Sequence, residues 1–181
     1  MSLSIVIAPS LSDLMATTTP HPLPGDDFRD LTRPLVGLPV SRPWRGYGSA
    51  LFLELGRLTR RPRLRGKGWD DVGEATVMIE GSWRVERKRS VAFGSWGGDR
   101  KINNGIVRLA GHVVEDIAVT GRLPELVVSL SGGLWVHTFT TAQGQPEWAL
   151  KVPARGWVSV KRGMLVVEPR GNGSSERAQP S

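Results

Sequence analysis

The sequence has no cysteine. That excludes a disulfide framework, a thiolate zinc site and a cysteine nucleophile, and it accords with a reducing, cytoplasmic setting. Long apolar runs are missing too: nothing approaches the ~18 residues that a membrane helix requires, so no membrane partner is expected. The uncharged stretch from Met1 to Ser12 has an apolar heart of only Ile5 to Ala8 and no basic residue before it, which argues against a signal peptide. Lysine is scarce. Lys67, Lys88, Lys101, Lys151 and Lys161 are the only lysines among 24 basic residues, leaving 19 arginines. Such an arginine-rich, lysine-poor chain, with a net charge of +7, carries the stamp of GC-rich coding DNA as well as any selection for an acidic partner.

Long helices are the next absence. Twenty-two glycines and 13 prolines are scattered through short apolar runs and leave no home for a helix of about ten residues or more. The periodicity that remains is two. Leu51, Leu53 and Leu55 alternate with Phe52 and Glu54, while Leu126, Val128 and Leu130 share one face. The segments 134–139 and 156–161 are rich in β-branched and aromatic residues, and Ser131-Gly132-Gly133 reads as a tight hairpin turn. The fold class is therefore all-β or nearly so.

An internal repeat organises these strands. Leu35-Val36-Gly37-Leu38-Pro39-Val40 resembles Leu109-Ala110-Gly111-His112-Val113-Val114, and the strand 51–55 resembles 126–130. Each copy then reaches a tryptophan, Trp83 or Trp148, expected to pack in the core. The spacings between equivalents are 74, 75 and 65 residues, which places one insertion between Gly56 and Ala75. The implied organisation is a disordered N-terminal tail (1–32, with Met15 as an alternative start), a first β-unit (33–104) holding a basic insertion (57–74), a second β-unit (105–169), and a disordered C-terminal tail (170–181). Two antiparallel meanders, each with an apolar face, would pack as a sandwich or join into a barrel-like sheet. Their exposed edge strands leave room for a homodimer.

Raw material for catalysis is thin. His112, Asp116 and His137 are the one set that could converge on a metal, although nothing in their spacing requires it. Gly94-Ser95-Trp96-Gly97-Gly98-Asp99 has the glycines of a phosphate loop but lacks the following Lys-Ser/Thr, so it reads as a hairpin turn. Adjacent carboxylates at Asp26-Asp27, Asp70-Asp71 and Glu115-Asp116 diverge on extended chain and form no acid–base dyad. No cofactor is implied.

Charge is the functional asymmetry. Residues 33–104 carry +8 and residues 105–169 carry +1. The excess lies in Arg57, Arg60, Arg61, Arg63, Arg65 and Lys67 of the insertion and in Arg84, Arg87, Lys88 and Arg89. Arginine's planar fork suits carboxylate and phosphate alike. These ten residues are the expected contact for an acidic partner, unless the insertion's arginines simply pair with Asp70, Asp71 and Glu74 downstream.

At Gly37, Gly111 and the closing segments Ser82-Trp83-Arg84-Val85-Glu86 and Pro146-Glu147-Trp148, the chain resembles a loose class of small bacterial β-rich proteins. Some of these are similar to immunity proteins, and the resemblance implies action by binding rather than catalysis. The expected function is thus a non-enzymatic interaction module with a protein partner. The alternatives are nucleic-acid binding through residues 57–67 and a metal-dependent enzyme using His112, Asp116 and His137.

Overall fold

The computed structural model describes residues 21–23, 25–63, 67–141 and 147–168. The readings of 1–20 and 170–181 as tails lie outside the described residues, as does Arg65. In chain order the elements are β1 (His21–Pro22), α1 (Gly25–Thr32), a 3-10 turn (Arg33–Leu35), β2 (Val40–Arg45), β3 (Leu51–Leu55), β4 (Thr59–Pro62), β5 (Trp69–Val72), β6 (Ala75–Ile79), β7 (Ser82–Arg87), β8 (Ser90–Gly94), α2 (Asp99–Val107), β9 (Val114–Thr120), β10 (Glu125–Leu130), β11 (Leu134–Phe139), β12 (Trp148–Val152), β13 (Gly156–Lys161) and β14 (Met164–Glu168).

Every pairing is antiparallel. One sheet has seven strands in the order β1-β14-β13-β12-β6-β3-β2, a second has five in the order β8-β7-β11-β10-β9, and β4-β5 stand apart as a two-stranded ribbon. The all-β expectation holds, with the two main sheets packed as a sandwich rather than closed into a barrel. The alternating residues Leu51, Leu53 and Leu55 meet Leu126, Val128 and Leu130 in one continuous core.

The sheets are tied together by the two Leu-x-Gly-x-x-Val segments. Pro39 bridges Val113, Gly37 N–H donates to the Val114 carbonyl at 2.8 Å, and Gly111 N–H donates to the Val40 carbonyl at 2.9 Å. Val40 N–H and Val114 N–H in turn reach the carbonyls of His112 (2.7 Å) and Leu38 (2.9 Å). Each segment thus does for the other what is done for it. Both glycines sit at positive φ, 90° and 83°, where a side chain would be strained, and that explains why glycine occupies the third position of both segments.

The same reciprocity runs through the strands. β3 pairs β6 as β10 pairs β11, but the fourth strand of each set crosses over: β7 joins β11, and β12 joins β6. A simple pair of meanders lacks this exchange. It places Trp83 opposite Thr138 and Trp148 opposite Ile79, with both indoles buried. Trp83 Nε1–H donates to the Ser49 carbonyl (2.7 Å) and Trp148 Nε1–H to the Pro124 carbonyl (2.9 Å), each reaching the turn between the first two strands of its own set. A buried indole needs such an acceptor, since an unmet N–H in the core costs about 1–3 kcal/mol.

Two short helices close the sandwich. Ile102 and Ile106, four apart on α2, are buried with Leu109. Phe28 of α1 is buried edge-on to Trp148 at 6.2 Å. Residues 21–23 and 25–32 therefore do not belong to a loose tail: Phe28, Leu31 and Leu35 form an i, i+3, i+7 stripe packed in or against the core. Likewise Gly94 to Asp99 is no hairpin turn. Ser95 still pairs with β7, donating its N–H to the Trp83 carbonyl at 2.9 Å, and the chain then turns into α2.

Candidate functional site

The basic insertion is a folded arm, not a loop. β4 and β5 pair so that Arg60 faces Asp71 and Arg61 faces Asp70. Arg63 Nε–H donates to Asp70 Oδ1 at 3.2 Å, and Arg42 Nη1–H donates to the Asp71 carbonyl at 2.9 Å. The Arg57 backbone N–H donates to Glu74 Oε2 at 3.0 Å. Arg57, Arg60, Arg61 and Lys67 are exposed, but Asp70 and Asp71 stand among them on the ribbon and Glu74 follows at its base. Cross-strand pairs of this kind offset one another, so the arm presents less positive field than its arginine count suggests.

The other predicted group divides. Arg84 is engaged within its own sheet: Nε–H donates to Glu86 Oε1 at 2.5 Å, and the guanidinium lies 5.2 Å over the Phe139 ring. Arg87, Lys88 and Arg89 are exposed at the β7–β8 turn. Here the topology adds what spacing along the chain hid. α2 returns beside that turn and, together with His112, completes a cleft of about 610 Å³ at the end of the sandwich.

Arg87, Lys101, Arg108 and His112 supply the cleft's charged and titratable groups, and half-buried Ala92 and Leu134, over the buried Phe93 and Leu109, supply its apolar lining; among the described residues no carboxylate lines it. Lys101 and Arg108 are seven apart on and just beyond α2, which brings them to one helix face. Gly105 lies on that face as well. A Cβ there would stand 2.6 Å from the Phe93 ring, so glycine lets the ring rest on the helix backbone. Phe93 is held from behind by Trp83, edge-on at 5.8 Å. His112 Nδ1 donates to the Ser131 carbonyl at 2.7 Å, because a carbonyl can only accept; that fixes the tautomer and leaves Nε2 to accept from, or when protonated donate to, a ligand.

The internal reciprocity makes the cleft's charge meaningful. Seventy-four residues before Arg100, Lys101, Arg108 and His112 stand Asp26, Asp27, Pro34 and Leu38. The same scaffold position is acidic or apolar in one half and basic in the other. Packing alone does not demand this, since Phe28 and Ile102, which do the packing, match in burial.

Of the ten predicted contacts, Arg87 lines the cleft, Lys88 and Arg89 sit at the turn beside it, and Arg84 is tied to Glu86. Arg57, Arg60, Arg61, Arg63 and Lys67 belong to the arm. Sequence reasoning missed Lys101, Arg108 and His112 as one group; the i, i+4, i+7 spacing of Lys101, Gly105 and Arg108 was the available signal. The proposed metal set does not assemble. His137 Nε2 lies 3.7 Å from Glu86, His112 is in the cleft, and among the described residues no three His, Asp or Glu side chains come together to hold a metal ion. No helix of the described residues is long and apolar enough to cross a membrane.

No protein-family model, no curated protein and no solved structure matches the chain.

Proposed function

We propose that this chain is a non-enzymatic interaction module that docks an acidic protein surface at its cationic cleft. The observation that carries this reading is the convergence of Arg87, Lys101, Arg108 and His112 from the β7–β8 turn, α2 and the segment before β9, with no carboxylate of the described residues in the lining. Cations placed together from separate parts of a chain, without internal counter-charges, attract and orient an acidic partner. A cytoplasmic location accords with the absence of cysteine, and action by binding accords with the resemblance to immunity-like proteins.

The test is a fluorescence-anisotropy titration with a labelled oligoglutamate peptide at low and physiological salt. Binding that weakens with salt and falls by at least about tenfold in Arg87→Gln/Lys101→Gln/Arg108→Gln supports the reading. Equal binding by the triple variant overturns it.

A second reading has one observation in its favour. The β4-β5 arm is an exposed two-stranded ribbon, the shape that a DNA major groove admits. Asp70 and Asp71 on the same ribbon oppose it. Titration with duplex DNA and with RNA in the same assay separates the two: nucleic-acid binding abolished by Arg57→Gln/Arg60→Gln/Arg61→Gln and unaffected by the cleft variant would favour the arm.

A further inference from the structure

We infer that the cleft seats a single apolar side chain of the partner, flanked there by carboxylates, so that the docked segment is acidic with one branched aliphatic or aromatic anchor. This rests on the docking reading above and narrows it.

A cationic rim alone would suit any polyanion. The floor distinguishes them. Ala92, Phe93, Leu109 and Leu134 line the same cleft as the cations, and at about 610 Å³ it falls within the ~300–1,000 Å³ range of sites that bury an apolar group. A phosphate backbone would satisfy the rim and leave this apolar surface in water. An apolar side chain with acidic neighbours satisfies both at once, and a pocket that buries one such anchor is where interfaces concentrate their affinity.

The floor is also pre-set. Phe93 is clamped between the Gly105 backbone and the Trp83 edge, and His112 is fixed through Nδ1. Little ordering remains to be done on binding. Charge complementarity selects the flanks: the cleft draws Arg87 from the β7–β8 turn and Lys101 with Arg108 from α2, so carboxylates beside the anchor find partners from two separate elements.

The experiment compares two labelled oligoglutamate peptides, one with a central leucine and one with serine there, against the full chain. The leucine peptide should bind about tenfold tighter, the lower end of what burying a leucine side chain supplies. Gly105→Ala, whose Cβ would displace the Phe93 ring from its seat on the helix, and Ala92→Leu, which adds bulk to the cleft lining from β8, should each erase most of that advantage. Arg155→Gln, at the exposed β12–β13 turn, should preserve it. Circular dichroism of each variant establishes that it is folded, and Ala92→Leu decides the matter where Gly105→Ala is not. Equal affinity for the two peptides overturns the anchor and leaves the acidic docking reading standing. An advantage that persists in Ala92→Leu places the anchor elsewhere and overturns it as well. Failure of both peptides to bind overturns the inference together with the reading beneath it.

Discussion

A carboxylate on a strand between two core leucines has to be given donors where it points, and Glu54 is given three. It lies on the opposite face of β3 from Leu53 and Leu55 and is itself buried. Oε2 accepts from Gly73 N–H and Thr76 Oγ1–H, both at 2.8 Å, and Oε1 accepts from Trp44 Nε1–H at 3.3 Å. These bonds fasten the base of the arm, since Gly73 is where β5 leads back into β6. Removing the carboxylate strands buried donors. Glu54→Ala should therefore cost about 2–4 kcal/mol, and Glu54→Gln, which keeps one acceptor oxygen, about half as much. Urea denaturation of the two variants measures the difference; equal and small losses would mean that the carboxylate does not hold the arm. Alternation in the sequence placed Glu54 away from the core face but gave no sign of its burial, because the partners come from Gly73 and Thr76, more than 15 residues on.

At the scale of elements, the arm and the β10–β11 turn, whose Gly132 lines the cleft, occupy the same structural position. Gly56 N–H donates to the Pro39 carbonyl (2.9 Å) as Ser131 N–H donates to the Val113 carbonyl (2.8 Å), after which one half makes the Gly132-Gly133 turn and the other makes β4 and β5. Replacing residues 57–74 with a two-glycine turn should consequently leave a cooperatively folded protein. The loss should be about 1–3 kcal/mol, set by the Gly73 donor that Glu54 loses, because β4 is exposed throughout and buries no core residue. Thermal unfolding followed by circular dichroism tests this, and loss of the cooperative transition would show that the arm is part of the core. What could be read from the sequence divides by mechanism. The strands 51–55, 126–130, 134–139 and 156–161 were legible because their apolar residues alternate or are rich in β-branched and aromatic types, whereas β1 lay in a segment that read as a tail. The arm was not, since Arg60-Arg61 and Asp70-Asp71 carry no apolar alternation and their pairing is with each other. The helices were obscured by composition: α2 contains Asn103, Asn104 and Gly105, poor helix formers, and is held by the packing of Ile102 and Ile106 rather than by propensity. With α2 hidden, Lys101 and Arg108 could not be brought to one face, and the cleft stayed out of view.

At the scale of the whole molecule, strand exchange turns a repeated sequence into one inseparable body. β6 has β12 as its neighbour and β11 has β7, so each half completes its sheet with a strand from the other. Trp83 and Trp148 are carried across with those strands, and each donates back to a turn of its own half, coupling the two sheets through both indoles. Similarity between the copies exposed the repeat in the sequence, but a strand's choice of neighbour lies in no local pattern: β7 and β12 have apolar residues that fit either sheet. The exchange makes a definite forecast for a chain cut between Gly97 and Gly98, in the turn before α2. Neither fragment should fold as a monomer, because β6 in the first and β11 in the second would present a bare central edge, and Trp83 or Trp148 would lose the sheet it packs into. Mixed in equal amounts, the fragments should recover the β-sheet circular dichroism and elute together at the size of the intact chain. A fragment that alone gives a cooperative melt as a monomer would show that each half closes on its own strands and that the exchange is dispensable. If mixing restores the fold, the cleft returns with it, since Arg87 comes from the first fragment and Lys101, Arg108 and His112 from the second; binding of the leucine-containing oligoglutamate peptide to the mixture and to neither fragment would then tie the candidate site to the exchange that builds it.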